Sequence, residues 1–318
     1  YTQRYTLSLH DALPIWLVGA GPGASVPVAP VAGARVDEVA DRVAARLLPA
    51  EAAGLRRLLD EQPEAVPVLR RELAATGQLA AVAELATHWA QWTPQVRTAV
   101  LDPIRGLTLA GRQTDQTTCG SACLVMLAAA GDPGLAGWLA AGTVPLTGLP
   151  PELAAAEPDR LAELSSAPAT VRFGLLQRVV KHRTNRGSVL GLPWPASLGT
   201  PPWGAAREAR FLGAPFCQRL LDDTDTSDLA AVLEQIGRAL DAGVPVPLYA
   251  GGDSTRGWAT ALPRHVVLAV ERRPDGLLLW EPSTGKLLPV RTADLLHAGR
   301  PLAALGGWSH LMWAVLPG

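Results

Sequence analysis

The stretch Gln113-Thr-Asp-Gln-Thr-Thr-Cys119-Gly120-Ser121-Ala122-Cys123-Leu124 places a glutamine six residues ahead of a cysteine that opens an apolar, small-residue run. That run predicts a helix beginning at Cys119. A free thiol at neutral pH is mostly protonated, and only the thiolate is a good nucleophile. The amide N–H groups and the positive dipole end of a helix N-terminus favour the thiolate. An upstream glutamine can donate a side-chain N–H to the oxyanion that forms when a thiolate attacks a carbonyl. Cys119 is therefore the candidate nucleophile and Gln113 the candidate oxyanion donor, with Gln116 as the competing glutamine. Cys123 lies one helical turn on, beside Val125, Met126 and Leu127, and reads as a small core residue.

A base is found far downstream. In Pro263-Arg264-His265-Val266-Val267-Leu268-Ala269-Val270 the histidine is followed by five apolar residues, the pattern of a buried strand. Pro274-Asp275-Gly276 marks a turn, and Leu277-Leu278-Leu279-Trp280 reads as a returning strand. It ends in a second turn, Glu281-Pro282-Ser283-Thr284-Gly285. A hairpin closing near Asp275 sets the start of its first strand beside the end of its second. Counting alone makes His265 and Glu281 neighbours, with the carboxylate placed to hold the imidazole through its second nitrogen.

These residues, in this order, resemble the papain-like cysteine peptidases. They come closest to the C39-like branch, the bacteriocin-leader-processing peptidases and their stand-alone bacterial relatives. The pattern there is Gln, five residues, Cys-Gly and a small-residue helix, then His before an apolar strand and Asp-Pro or Asn-Pro after the next strand. The resemblance covers about 105–130 and 235–290. It implies an α+β papain-like fold, with the cysteine helix packed on an antiparallel sheet. It also implies thiol-dependent cleavage of a peptide or isopeptide bond through an acyl-enzyme, acting on a peptide or protein without a cofactor. Gln113 would be the oxyanion-hole glutamine, Cys119 the nucleophile, His265 the base and Glu281 the orienting acid. Glu281 departs from the usual Asp or Asn, and its extra methylene must be accommodated. The same constellation would also serve acyl transfer to an amine or glutamine deamidation, as in transglutaminase-like enzymes. An inactive peptide-binding module of the same fold is the alternative from a different class.

Composition bounds the remainder. The chain has 318 residues, 48% hydrophobic and 18% charged, with net charge −1, so neither a nucleic-acid partner nor an anionic membrane surface is expected. Lys181 and Lys286 are the only lysines, a bias that reads as GC-rich bacterial coding. Three cysteines make no disulfide framework, and Cys217 reads as a free thiol. No apolar run reaches the roughly 18 residues of a membrane span. His297 and His310 lack partners at metal-ligand spacing, so no metal site is expected. Oligomeric state is not legible, and cytoplasmic and secreted locations both stay open.

Residues 1–15 read as a non-biological, adapter-like scar. Residues 16–34 read as a linker or the remnant of a targeting segment, which leaves the true N-terminus missing. Apolar spacing over 35–98 predicts a small helical bundle whose charges form a solvated face, with Trp89 and Trp92 packing it onto the next domain. The catalytic domain is expected over 99–318, with a long insertion at about 131–228. That insertion opens at the helix stop Gly131-Asp132-Pro133 and holds a helical piece near Val171–Lys181. It carries Trp194 and Trp203 among prolines, which suit a peptide cleft or simply tie the loop down. The basic run Lys181 to Arg186 reads as a solvated helix end. Gly120, Trp203 and Trp258 are the candidate substrate contacts, the last in a loop expected to overhang the cleft. An amphipathic helix carries Leu229, Val232, Leu233, Ile236 and Leu240, with Thr226 or Ser227 as its cap. Val244 to Tyr249 reads as an edge strand because of its prolines. His310 to Leu316 reads as the strand that closes the sheet.

Overall fold

Residues 119–131 contain no charged side chain and are apolar or small around the whole helical circumference, which demands burial on every side. The computed structural model meets that demand: all residues from Cys119 to Gly131 are buried. It describes residues 36–186, 193–222, 225–252, 264–297 and 299–318. The two N-terminal segments, the loop from Asp253 and Trp258 lie outside the described residues.

Among the described residues five helices come first: α1 (Val36–Ala44), α2 (Pro49–Glu61), α3 (Val66–Thr76), α4 (Leu79–Gln91) and α5 (Pro94–Leu101). The short α6 (Pro103–Gly106) leads to the cysteine helix α7 (Cys119–Gly131). Then come α8 (Pro133–Ala141), α9 (Pro151–Ala154), α10 (Pro158–Leu164), α11 (Ala169–Asn185) and α12 (Pro202–Glu208). The sheet is built from β1 (Phe216–Leu220), β2 (Val246–Gly251), β3 (His265–Arg273), β4 (Gly276–Glu281), β5 (Lys286–Arg291) and β6 (His310–Pro317). Helix α13 (Thr226–Asp241) precedes β2, and α14 (Thr292–Leu296) comes after β5. The fold is thus mixed α+β, with helices on an antiparallel sheet ordered β1-β6-β2-β3-β4-β5. No single helix among the described residues is long and apolar enough to cross a membrane.

Several local expectations need correction. β2 is central, not an edge, although it holds Pro247. Pro247 faces Leu268 of β3, while the β6 ladder begins only at Leu248, so the missing N–H falls where one neighbour is absent. β6 is internal, because the insertion supplies β1 as an edge strand beyond it. The cap of α13 is Asp225, whose Oδ1 accepts the N–H groups of Ser227 and Asp228. Among the charges of the N-terminal helices, Glu72 is buried, accepting the N–H of Gly134 at 3.1 Å, instead of facing solvent. Burial and the nearby Asp132 push its carboxyl up to about 8.

The insertion is part of the core. Phe173, Leu176 and Val180 of α11 are buried in the same apolar cluster as α7, and the helix runs beyond the expected Val171–Lys181 at both ends. The N-terminal helices join this cluster through α8, where Trp92 covers Gly137 so closely that a Cβ there would lie 2.7 Å from the indole. The Trp92 indole also donates to Thr143 Oγ1 at 3.2 Å.

Candidate functional site

The loop before α7 is fastened from within. Thr118 Oγ1 accepts the N–H groups of Thr114 and Asp115 at 3.0 and 3.1 Å, and Asp115 Oδ1 accepts the N–H of Thr117 at 2.7 Å. Gln177 of α11, fully buried, clasps the same loop from outside. Its Oε1 accepts the Thr114 N–H at 3.0 Å, and its Nε2 donates to the Arg112 carbonyl at 2.8 Å. Lys181, expected in solvent, instead hydrogen-bonds Thr117 Oγ1. Cys119 is thereby set as the first residue of its helix, at an N-terminus whose leading N–H groups have no intrahelical acceptor.

Helix α7 lies on the sheet at β3, where Cys123 Sγ meets the Val266 carbonyl at 3.5 Å. Cys123 is fully buried, and burial, with Cys119 and Glu281 nearby, pushes its thiol pKa well up. One turn earlier on the helix, Cys119 pairs with His265, the first residue of β3. The β3–β4 hairpin closes as expected, with an irregularity between Ala269 and Glu271. Leu268 pairs with Trp280, so Glu281 comes beside Val267, and His265 lies diagonally on the same face. The two-methylene side chain of glutamate spans that diagonal: His265 Nε2 to Glu281 Oε1 is 2.7 Å. Nδ1 is the ring nitrogen left for Cys119. All three groups are withdrawn from solvent, with Cys119 5%, His265 7% and Glu281 1% exposed.

Glu281 is saturated. Its Oε1 also accepts the Ser283 N–H at 2.8 Å. Its Oε2 accepts the Ser283 hydroxyl, the Thr284 N–H and the Thr284 hydroxyl at 2.7, 2.9 and 2.7 Å. Burial favours the neutral acid, but the hydrogen bonds from His265, Ser283 and Thr284 outweigh it and hold the carboxyl at about 2. For His265, burial opposes charge, yet pairing with Cys119 and Glu281 outweighs it and raises the imidazole to about 9. An imidazole raised on folding stabilises the protein fully below its unfolded value near 6.5, and that stability is lost as pH rises through about 9. The urea midpoint is therefore expected to fall between pH 7 and pH 10, and to fall less in His265→Ala. Equal slopes in the two proteins would refute this linkage.

The sequence-derived residues are not all gathered in the same way. Cys119, His265 and Glu281 form a continuous chain of contacts. Gln113 is anchored next to it, its backbone N–H donating to the Pro282 carbonyl at 2.9 Å. Its side-chain amide is turned onto the Asp115 carbonyl at 3.0 Å. Gly120 packs against Thr200, where an added Cβ would meet Thr200 Cβ at 2.7 Å. Trp203 is half-buried and sits edge-on to Trp194, ring centroids 5.2 Å apart.

No family model matches the chain, and neither a curated protein nor a solved structure matches it.

Sequence reasoning missed Ser283 and Thr284, although two hydroxyls directly after Glu281-Pro282 in a turn were a usable signal. It also missed Gln177, Thr118 and Tyr249, the last fully buried with its hydroxyl donating to the Thr200 carbonyl at 3.1 Å. Nothing local marks those three. No cluster of three or more His, Cys, Asp or Glu side chains suited to a metal ion occurs among the described residues.

Proposed function

We propose that this chain is a thiol-dependent hydrolase of papain-like type, cleaving a peptide or isopeptide bond through a Cys119 acyl-enzyme. The observation that carries the reading is the 2.7 Å contact between His265 Nε2 and Glu281 Oε1 beside a cysteine at a helix N-terminus. A carboxylate held at about 2 and an imidazole raised to about 9 favour an imidazolium at neutral pH, which in turn favours a thiolate beside it.

In the proposed reaction the Cys119 thiolate attacks the scissile carbonyl carbon, and the developing oxyanion is met by N–H groups at the start of α7. The Gln113 amide joins them once it turns away from the Asp115 carbonyl. His265 gives its Nδ1 proton to the leaving nitrogen as the C–N bond breaks, leaving a thioester. It then takes a proton from water, whose oxygen attacks the thioester. The carboxylic acid product departs, and the sulfur regains its thiolate.

The test is competitive labelling with iodoacetamide at pH 7. Cys119 should react well ahead of the exposed Cys217, despite its burial, and Cys123 should not react. His265→Ala should remove the advantage of Cys119. Equal labelling of Cys119 in the wild type and His265→Ala would sink the reading. Product analysis of a glutamine-containing peptide, with and without an added primary amine, separates hydrolysis from deamidation and acyl transfer.

A further inference from the structure

Gly306 lies far from the cysteine helix and the hairpin in sequence, yet its backbone is built against the imidazole. A Cβ placed on Gly306 would fall 2.4 Å from His265 Cδ2, 2.7 Å from Nε2 and 3.0 Å from Cγ. Such distances are far inside van der Waals contact, so only a glycine leaves the ring its present place. The residue also has φ +65, in the left-handed region that glycine occupies without strain.

The segment carrying Gly306 is anchored on both sides. Leu302 and Trp308 form a bridge, with the Leu302 N–H donating to the Trp308 carbonyl at 3.0 Å. The Gly307 N–H donates to the Leu302 carbonyl at 2.9 Å, and the Gly306 N–H to the Ala303 carbonyl at 3.1 Å. Leu305, next to Gly306, is fully buried in the core. On leaving the turn, Ser309 donates its N–H to the Gly251 carbonyl at 3.3 Å, at the end of β2. A wall fixed in this way does not yield easily; the imidazole at the end of a side chain does.

We infer that Gly306 is a positioning residue: its bare backbone forms the wall that holds the His265 ring between Cys119 and Glu281. The inference rests on the reading of Cys119 and His265 as an activated pair. Gly307 supplies the control. It has φ +87, also left-handed, but nothing lies within 4 Å of a Cβ there. Gly306→Ala and Gly307→Ala therefore share the backbone strain of a non-glycine residue at positive φ. Only the first drives an atom into the imidazole.

The experiment tracks Cys119 alkylation by iodoacetamide at pH 7 in wild type, His265→Ala, Gly306→Ala and Gly307→Ala, together with the His265 titration by NMR in the wild type and the two glycine variants. The expected result is that Gly306→Ala slows alkylation about tenfold or more, as His265→Ala does, and lowers the imidazole pKa. Gly307→Ala should alkylate within about twofold of wild type, though with a similarly lowered melting temperature. If His265→Ala slows alkylation but Gly306→Ala does not, or Gly307→Ala slows it equally, the wall is overturned. If His265→Ala itself has no effect, the pair is at fault instead. Should Gly306→Ala fail to fold, the wild type decides. A strong nuclear Overhauser effect between the Gly306 Hα protons and the His265 Hδ2 proton is required, and its absence refutes the contact.

Discussion

Cys119→Ala is expected to abolish turnover of any substrate found for this chain, by a factor on the order of 10^4 or more, while leaving the fold in place. The chemical loss is complete because alanine offers no nucleophile, and water in the same position lacks the covalent route. The structural loss is small, since the change removes a single sulfur from a helix whose other contacts persist. A penalty of about 1 kcal/mol would lower the melting temperature by only a few degrees in a protein of this size. One further consequence separates this variant from a merely inactive one. With Cys119 absent, part of what raises the His265 imidazole to about 9 is gone, so its titration should move down. Residual turnover in Cys119→Ala, measured in a preparation free of wild-type protein, would disprove the proposed mechanism.

Glu281→Gln is expected to lower turnover about a hundredfold or more, to slow Cys119 alkylation, and to destabilise the fold by roughly 2–3 kcal/mol. The carboxylate accepts from five donors: His265, the Ser283 N–H and hydroxyl, and the Thr284 N–H and hydroxyl. An amide has one accepting oxygen and brings two donors of its own, so one side of the group must face N–H or O–H groups without accepting from them. It also carries no charge with which to favour the imidazolium. Glu281→Asp keeps the charge but shortens the reach by one methylene, and cannot satisfy the diagonal to His265 and the turn together. Its activity should fall between wild type and Glu281→Gln. Unchanged turnover and alkylation in Glu281→Gln would reduce the site to a Cys119–His265 dyad and leave the carboxylate as part of the turn.

The parts of this site that obey local rules were legible in the sequence. Cys119 opens its helix because small and apolar residues come after it, and His265 meets Glu281 because a turn at Asp275 fixes the hairpin. The parts missed depend on distant segments. Gln177 reaches the Gln113 loop only because α11 packs on α7, and nothing in its own neighbourhood announces that contact. Strand β1 has too few apolar residues to signal a strand, and it takes its place by pairing with β6. Pro247 misled because the usual confinement of proline to edges assumes neighbours along the full length of a strand. Gly306 was invisible because the demand for a missing side chain is set by the ring it touches.

The order in which these pieces occur along the chain sets when they can act. A ribosome completes the cysteine helix well before it has made the hairpin carrying His265 and Glu281, and the wall at Gly306 emerges later still. Until then the thiol has no imidazole beside it and behaves as an ordinary cysteine. Because the helix is buried on all sides, it also waits for the sheet before it can pack. Under the proposed function, reactivity is thus conferred only once the hairpin and the Gly306 wall have been made and docked on the helix, so a chain interrupted before them would not carry the activated thiol among other nascent proteins.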